Sequence, residues 1–444
     1  MVSEEHWIVA GAGLTGCLAA VRLARRGIEI DLVEKRPDLR VADDDHGRSI
    51  NLALSTRGLD ALARVGLDER IRQDGIPMRG RMMHAIDGAL TFQAYGPRPE
   101  HAILSVSRDG LNIALLDAVA AEANITARYE HAVVAVDIDT AIVTVEDADG
   151  RQYDIDADAV LGADGAYSRV RSHLQRSPRF SYEHDYLEHG YKELTIPPAP
   201  EGTHRIDPHA LHIWPRGSHM MIALPNPDGS FTCTLFWPFD GEVGFDSVRD
   251  GDAAITTFER QFPDALDLMP DLADEYVTNP TSTLVTIRCR PWYHLDKVLL
   301  VGDASHAVVP FYGQGANAAL EDVTILCDEL DRHEGDRATA FASFYDARKP
   351  DADALADLAI DNFVEMRDRV TSRWFLARKR LKNLLAATMP SRFEPLYTMV
   401  TFSRRPYAEA VAKAGRQDRV LTVVGAIVLA VVALIVALAV VVGA

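Results

Sequence analysis

Three glycines at fixed spacing set the first chemistry this sequence can do. The segment GAGLTG at 11–16 places Gly11, Gly13 and Gly16 between a short apolar run and a helical one. Gly11 permits a tight turn, Gly13 lets a backbone approach a pyrophosphate, and Gly16 allows helix and strand to pack closely. The amides at the start of the helix attract an anion without any side-chain charge. Glu34 closes the next apolar run, where a carboxylate can accept bonds from ribose hydroxyls. A glycine-rich packing turn would account for the glycines alone; with Glu34 they read as a dinucleotide site. Nothing in this unit separates a nicotinamide dinucleotide from a flavin one. Asp303, in KVLLVGDA at 297–304, is a second candidate, which either meets a ligand or merely caps the turn after an apolar run.

The elements that must position these groups follow from periodicity. Residues 6–11 (HWIVAG) read as a buried strand, 13–26 as a helix and 28–34 (IEIDLVE) as a second strand, a βαβ unit. Residues 108–123 are helical, and 158–163 (DAVLGA) form another buried strand. From about 180 to 245, aromatic and β-branched runs broken by Pro and Gly predict antiparallel strands in a separate sheet. The segment 297–304 returns to the strand-then-turn pattern, and 313–386 is largely helical, with Pro350 as the interruption.

Composition narrows the function classes. The 444 residues allow two or three domains. A formal net charge of -19 repels phosphate backbones, so nucleic acid is not an expected partner. Cys17, Cys233, Cys289 and Cys327 form no CxxC pair. They predict buried thiols in a reducing compartment, with no metal site. No signal peptide is visible at the N-terminus.

The C-terminal segment is different in kind. From Val420 to Ala444 only Thr422 carries a polar side chain. As a helix this segment spans roughly 37 Å, more than a ~30 Å hydrocarbon core. A buried core helix is the other reading, but core helices rarely run so long without a polar stripe. Lys413, Arg416 and Arg419 precede the segment and nothing charged follows it. The expectation is a single-pass tail anchor in a lipid bilayer, with the body on the cytoplasmic side.

Two later motifs bring in a resemblance. GADGAYSRVR at 162–171 and LLVGDASHAVVPFYGQGANAALEDV at 299–323 resemble the signatures of flavoprotein hydroxylases related to p-hydroxybenzoate hydroxylase. The resemblance implies FAD. It places Asp164, Gly165, Ser168 and Arg171 near the cofactor and ties them to nicotinamide binding as well. It gives Gly302 and Asp303 to the ribityl chain and pyrophosphate, and runs Gly313, Gln314, Gly315, Ala316 and Asn317 past the isoalloxazine edge. The helix starting there would stabilise negative charge on reduced flavin. Leu14, Arg36 and Ala53 join the implied cofactor contacts. Arg108, in SVSRDGLN at 105–112, opens a helix where the group has a cofactor arginine; an exposed helical arginine is the alternative. There is no second strand–GxGxxG–helix unit, so NADPH would use a transient site.

The fold class implied is α/β: a Rossmann-like FAD-binding domain with an inserted antiparallel sheet for substrate, a C-terminal helical region and a transmembrane tail helix. The expected boundaries are 1–175 and 291–350 for the two parts of the FAD domain, 176–290 for the sheet, 351–415 for the helical region and 420–444 for the tail.

Further segments resemble the kynurenine 3-monooxygenase family: GRSINLALSTRG (47–58), GIPMRGRMMH (75–84), YLEHGYKELTIPP (186–198), LHIWPRGSHMMIALPN (211–226), NFVEMRDRV (362–370) and TMPSRFEPLYTMVTFSR (388–404), with the hydrophobic tail. The family resemblance implies that Arg81, Tyr95, Asn362 and Tyr397 hold the amino-acid end of the substrate, and that Phe311 lines its aromatic pocket. Arginine suits a bidentate carboxylate clamp, with hydroxyls and an amide completing a polar cradle. Taken singly, Tyr95 and Tyr397 serve equally well as packing residues and Asn362 as a surface amide. His306, beside the flavin motif, is read as structural rather than acid–base. Where the family commonly has GDAAHA and GQGMN, this chain has Ser305 and Ala316.

The implied reaction takes L-kynurenine, NADPH and O2 to 3-hydroxykynurenine, NADP+ and water, through a flavin C4a-hydroperoxide, as a step of tryptophan degradation toward NAD. The substrate's own amine activates its ring, so no proton-transfer residue is nominated. Two other readings stay open: a related flavin hydroxylase of another aromatic acid or a quinone precursor, and a non-catalytic flavin-binding membrane scaffold. Oligomeric state is not legible.

Overall fold

Apolar runs such as WIVA at 7–10 suit a parallel sheet covered by helices on both faces. In the computed structural model, which describes residues 5–41, 51–96, 98, 100–364, 385, 388–389 and 393–442, they are so placed. Strand β1 (His6–Ala10), helix α1 (Leu14–Ala24) and strand β2 (Glu29–Glu34) form the βαβ unit. β1 pairs in parallel with β2 on one side and with strand Ala159–Gly162 on the other. Ile125–Tyr129 extends the sheet beside β2, and Val298–Leu300 beside Ala159–Gly162, both parallel. A short antiparallel strand, Tyr293–His294, closes that edge. The glycine turn therefore opens at the carboxyl ends of a parallel sheet, where such folds bind ligands.

The second sheet has seven strands, in the order Ser282–Arg290, Ser181–Ile196, Phe231–Pro238, Met220–Pro225, Ala210–Pro215, Gly80–His84 and Leu90–Ala94. Its last two strands come from a stretch that the sequence placed in the cofactor domain. They join through a parallel pairing of Arg81 opposite Leu211. Helices Gly251–Gln261, Pro263–Leu266 and Leu272–Thr278 cover one face over a core of Trp214, Phe231, Trp237, Phe258 and Phe262. On the other side, Met220, Phe236 and Leu284 pack with Phe311, Tyr312 and Phe363. Each fully buried large side chain contributes about 1.5–3 kcal/mol. The space between the two sheets is thus walled by well-packed layers.

Two helical expectations shift. Pro350 lies inside the helix Arg337–Val364 and does not interrupt it. The break falls before it, at Gly335 with φ 80°. The proline's neighbours Arg348 and Asp351 are fastened in a buried ionic network. Residues 365–384, expected to be helical, lie outside the described residues.

The last helix runs Tyr407–Val442. It starts docked, with Tyr407 and Ala410 wholly buried, and then leaves the body, with Val420, Val423, Val424, Ile427 and Val431 exposed. Among the described residues no helix is long and apolar enough to cross a membrane. The transmembrane helix expected at 420–444 is therefore not borne out by them. The side chains at 428–429 and 432–444, which carry most of that expectation, lie outside the described residues.

Candidate cofactor and substrate site

The glycine turn is shaped by backbone geometry. Gly11 sits at φ 96°, and its N–H donates to the Val33 carbonyl at 2.7 Å. A Cβ on Gly16 would lie 1.8 Å from the Gly11 carbonyl oxygen, so only glycine lets α1 start this close to the turn. A Cβ on Gly13 would meet nothing within 4 Å, because the turn faces open space there. The helix has no capping side chain and no acid in its first turn, which leaves amides at Leu14 and beyond for an anion.

Glu34 is nearly buried and accepts the Ala12 N–H at 2.8 Å and the Arg36 N–H at 3.0 Å. Burial pushes its carboxyl pKa up. The bond and charge of Arg36 and the Ala12 amide outweigh this and hold it below the usual value. An ionised acceptor thus stands at the end of β2.

The distant segments converge on this turn. Gly302 has φ 60°, and a Cβ there would lie 2.9 Å from Thr15 Oγ1, in the first glycine motif. Asp303 is exposed while Gly302 and Ala304 are buried, so its carboxyl faces the cleft. The Asn317 side chain accepts the Ser55 N–H at 2.8 Å and donates to the Ala53 and Gly313 carbonyls at 2.9 and 3.0 Å. This clasp sets strand Leu52–Leu54 against the left-handed Gly313 and the uncapped start of helix Gly315–Arg332. Two bare helix starts, three left-handed glycines and an open carboxylate fit FAD.

Some motif residues turn out to be splints. Asp164 accepts the Ser168 hydroxyl and the Arg169 and Val170 amides. Arg171, buried, donates to the Ala304 and Ala166 carbonyls. His306 Nε2 lies 2.6 Å from Asp322, which also accepts the Gly302 N–H and the Arg348 guanidinium. The Ser305 hydroxyl is taken up by the Gly302 carbonyl at 2.8 Å. One residue that the motifs left without a role is Arg57, a fully buried arginine paired with Glu321 at 2.6 Å. Its only signal was its place within a family-like segment.

On the far side of the clasp, strand Gly80–His84 presents Arg81. Its guanidinium carbon lies 4.8 Å from the Tyr397 ring centre and 5.9 Å from that of Tyr95. Tyr95 and Tyr397 stack at 5.3 Å, and Tyr312 packs on Tyr397 at 5.7 Å. Arg81 Nε and the Tyr95 hydroxyl are buried without a hydrogen-bond partner, and no described carboxylate is ion-paired with Arg81. Burial pushes the Tyr95 phenol pKa well up, so its O–H stays a donor. A half-buried cation with no ionic partner among the described residues, and with an idle Nε, calls for an anionic ligand. Asn362 Nδ2 donates to the Phe311 carbonyl at 2.6 Å, and Phe311 stacks on Phe363 at 4.3 Å and meets Phe236 at 4.9 Å. Ala53 packs into the same cluster as Tyr95 and Tyr397, which puts the cofactor strand beside the cradle. Tyr312 was missed by sequence reading, although it directly follows Phe311.

Comparison with known proteins agrees with this geometry. The FAD binding domain family matches residues 6–359. A kynurenine 3-monooxygenase of Flavobacterium psychrophilum is 44% identical over 422 residues, covering 95% of this chain and 94% of that protein. One from Salinispora arenicola is 45% identical over 425 residues, covering 95% and 93%. Among solved structures, the tetrameric form of 2-methyl-3-hydroxypyridine-5-carboxylic acid oxygenase aligns with TM-score 0.67 at 20% identity, over 84% of this chain and 95% of that one. PqsL of P. aeruginosa, in complex with 2-aminobenzoylacetate, aligns with TM-score 0.67 at 20% identity, over 83% and 98%. These two share the fold. Given the flavin cradle and the relatives matched across nearly its whole length, the chain belongs to the kynurenine 3-monooxygenase family of FAD-dependent hydroxylases.

Proposed function

We propose that the chain hydroxylates L-kynurenine at the ring carbon ortho to the aniline nitrogen, using NADPH and O2. The observation that carries this is Arg81, a half-buried guanidinium whose buried Nε has no partner, flanked by the two stacked tyrosines beside the flavin clasp. Bound FAD supplies the redox chemistry, taking up the reducing equivalents of NADPH and activating O2. It would be held by the amides at Gly11–Leu14 and Gly315–Asn317, by Glu34 and Asp303, and by Ala53, with Arg36 and Arg108 as nearby positive charge.

The protein's own part is positioning. Arg81 clamps the substrate carboxylate, and the hydroxyls of Tyr95 and Tyr397 donate to it. Asn362 fixes the backbone at Phe311, and Phe311, Phe236 and Phe363 wall the ring and keep water out. The uncapped helix at Gly315 offers its positive end to charge that develops on the cofactor. The aniline nitrogen donates electron density into the ring, so no side chain need act as a strong base. The test is mass spectrometry of products formed from L-kynurenine, NADPH and O2. Formation of 3-hydroxykynurenine is expected; NADPH consumed with kynurenine left intact would overturn the assignment.

The C-terminal segment is read as a bilayer anchor that leaves the catalytic body on the cytoplasmic side. What supports this is the run 420–444 with a single polar side chain, the preceding Lys413, Arg416 and Arg419, and the exposed valines at the start of the run.

A further inference from the structure

Arg57 carries a full charge on a side chain with no exposed surface. Such a cation is tolerated only when its donors are taken up. Arg57 lies in the first turn of helix Thr56–Ala63, and its donors leave in several directions. Nη1 donates to both carboxylate oxygens of Glu321, at 2.6 and 2.8 Å. Nε donates to the Val400 carbonyl at 3.3 Å, and Nη2 donates to the Arg405 carbonyl. The guanidinium carbon lies 4.0 Å from the centre of the Tyr407 ring. An ion pair with Glu321 needs only a point charge, which a lysine supplies. The further contacts with Val400, Arg405 and Tyr407 need the planar fork.

These partners belong to the two halves of the site. Glu321 is on the cofactor helix Gly315–Arg332. Val400 is in the last turn of Leu396–Thr401, the short helix that carries Tyr397. Carbonyls there have no partner within the helix, and a cation is favourable beside them. Arg405 leads into the last helix and Tyr407 begins it. The Tyr407 hydroxyl in turn donates to Gln314 Oε1 at 3.2 Å, the same atom that takes the Ser55 hydroxyl at 3.2 Å. Gln314 is buried directly before the helix start at Gly315, and the Ser55 N–H is held by Asn317 at 2.8 Å. The contacts close a ring. They run from the flavin clasp through Arg57 to the tyrosine helix, and back through Tyr407 to the flavin loop.

We propose that Arg57 is a positioning residue for the hydroxylation. It fixes the Tyr397 helix at a set distance from the cofactor helix, so that a substrate held between Arg81 and Tyr397 meets the flavin loop in one geometry. Arg57 acts through Tyr397 on the substrate side and through Tyr407 and Gln314 on the flavin side. A misplacement of about 1 Å by a change far from the chemistry can cost about a hundredfold in rate. The tie therefore matters to the reaction as well as to folding. The proposal rests on the flavin hydroxylase reading above.

The test compares the wild-type full chain with Arg57→Lys and Tyr407→Phe, each loaded with FAD. Lysine keeps the charge beside Glu321 and gives up the fork. Phenylalanine keeps the ring under Arg57 and gives up the bond to Gln314. FAD-loaded Arg57→Lys should bind L-kynurenine about tenfold or more weakly, and a larger share of the NADPH it consumes should end as hydrogen peroxide. The visible circular-dichroism bands of the bound flavin should change in both variants. A purely structural role would reduce the yield of FAD-loaded protein and leave the affinity and the bands of the loaded molecules unchanged. Kynurenine affinity within about twofold of wild type in FAD-loaded Arg57→Lys would overturn the proposal. If Arg57→Lys takes up no FAD, Tyr407→Phe decides: altered flavin bands support the tie, and wild-type bands remove it. Should the wild type itself bind no kynurenine, the functional assignment fails, and the flavin bands of the two variants still decide whether Arg57 sets the flavin loop.

Discussion

Tyr95 and Tyr397, from opposite ends of the chain, stack at 5.3 Å with an interplanar angle of 21°, and the Arg81 guanidinium lies against both rings. One tyrosine follows an edge strand of the seven-stranded sheet and the other sits on the short helix Leu396–Thr401. The pair therefore closes the cradle only when the C-terminal region is docked on the sheet, which couples substrate binding to complete folding.

Arg81→Ala should abolish productive kynurenine binding while leaving FAD bound. Removing one partner of a buried charge pair costs about 2–5 kcal/mol, at least roughly thirtyfold in affinity. Arg81→Lys should recover little, because an ammonium cannot reproduce the two-pronged fork. Equilibrium titration with L-kynurenine checks both, and unchanged affinity in the alanine variant would remove Arg81 from the site.

Gly16→Ala should yield apoprotein. The added methyl would stand 1.8 Å from the Gly11 carbonyl, so the helix must move away from the turn that cradles the phosphates. Flavin absorbance of the purified variant is the measurement. A normal complement of FAD would show that the turn can give way.

How far the sequence revealed this site depends on whether the signal was local. The βαβ unit was legible because glycine spacing and buried-strand runs act within about thirty residues. Glu34 followed from the same local pattern, while the helix start at Gly315 came from resemblance to the flavin hydroxylase motif. Arg81 was legible only by family resemblance, since its strand joins the large sheet through a parallel pairing with Leu211 that no local pattern announces. Pro350 was misread because propensity is a local signal that tertiary packing can override, and here it lies within a helix whose Arg348 is buried and paired with Glu321, Asp322 and Asp351. Arg57 gave no signal of burial, because its partners Glu321 and Tyr407 are brought to it only by the fold.

Asp322→Asn should lower stability by about 3–5 kcal/mol at neutral pH, because it removes the buried carboxylate that joins His306 to Arg348 and leaves Arg348 only Glu321 and Asp351. Burial pushes the Asp322 pKa up, but His306 and Arg348 outweigh it and bring it below 3.8. A depressed carboxyl stabilises the fold fully above the unfolded value and loses that contribution as pH falls through the folded one. Wild-type stability should therefore decline below about pH 4, and the asparagine variant should show a shallower decline. Urea unfolding at a series of pH values reads both effects. Parallel curves would mean that other carboxylates dominate.

Removing residues 420–444 should release the chain from membranes without loss of FAD. The docked part of the last helix lies before the cut. Tyr407 donates to Gln314 at 3.2 Å, and Arg57 sits 4.0 Å over its ring. Tyr407→Ala, by contrast, should cost about 3 kcal/mol or more and loosen the loop at Gln314. Fractionation and flavin content separate the two roles. Truncated chain still found in the membrane pellet would point to a second attachment surface.

Kynurenine should control the rate at which NADPH reduces the flavin. Tyr397 meets Arg81 on one side and Tyr312 on the other, and Tyr312 precedes Gly313, held at φ 66°, and Gln314 at the start of the cofactor helix. A carboxylate drawn to Arg81 orders Tyr397. Through Tyr312 it favours one arrangement of the loop beside the isoalloxazine, as a ligand shifts a two-state equilibrium by its differential affinity. Without substrate, reduction would only lead to wasted peroxide, so a gate that slows it has a physical use. A preference of ~1.4 kcal/mol between the two arrangements gives about tenfold in rate. Anaerobic stopped-flow bleaching by NADPH should therefore be at least about tenfold faster with kynurenine present. In Tyr397→Ala the stimulation should shrink even at kynurenine concentrations that saturate the site. Equal bleaching rates with and without kynurenine in the wild type would remove the gate, while the FAD site and the carboxylate cradle would stand on their own geometry.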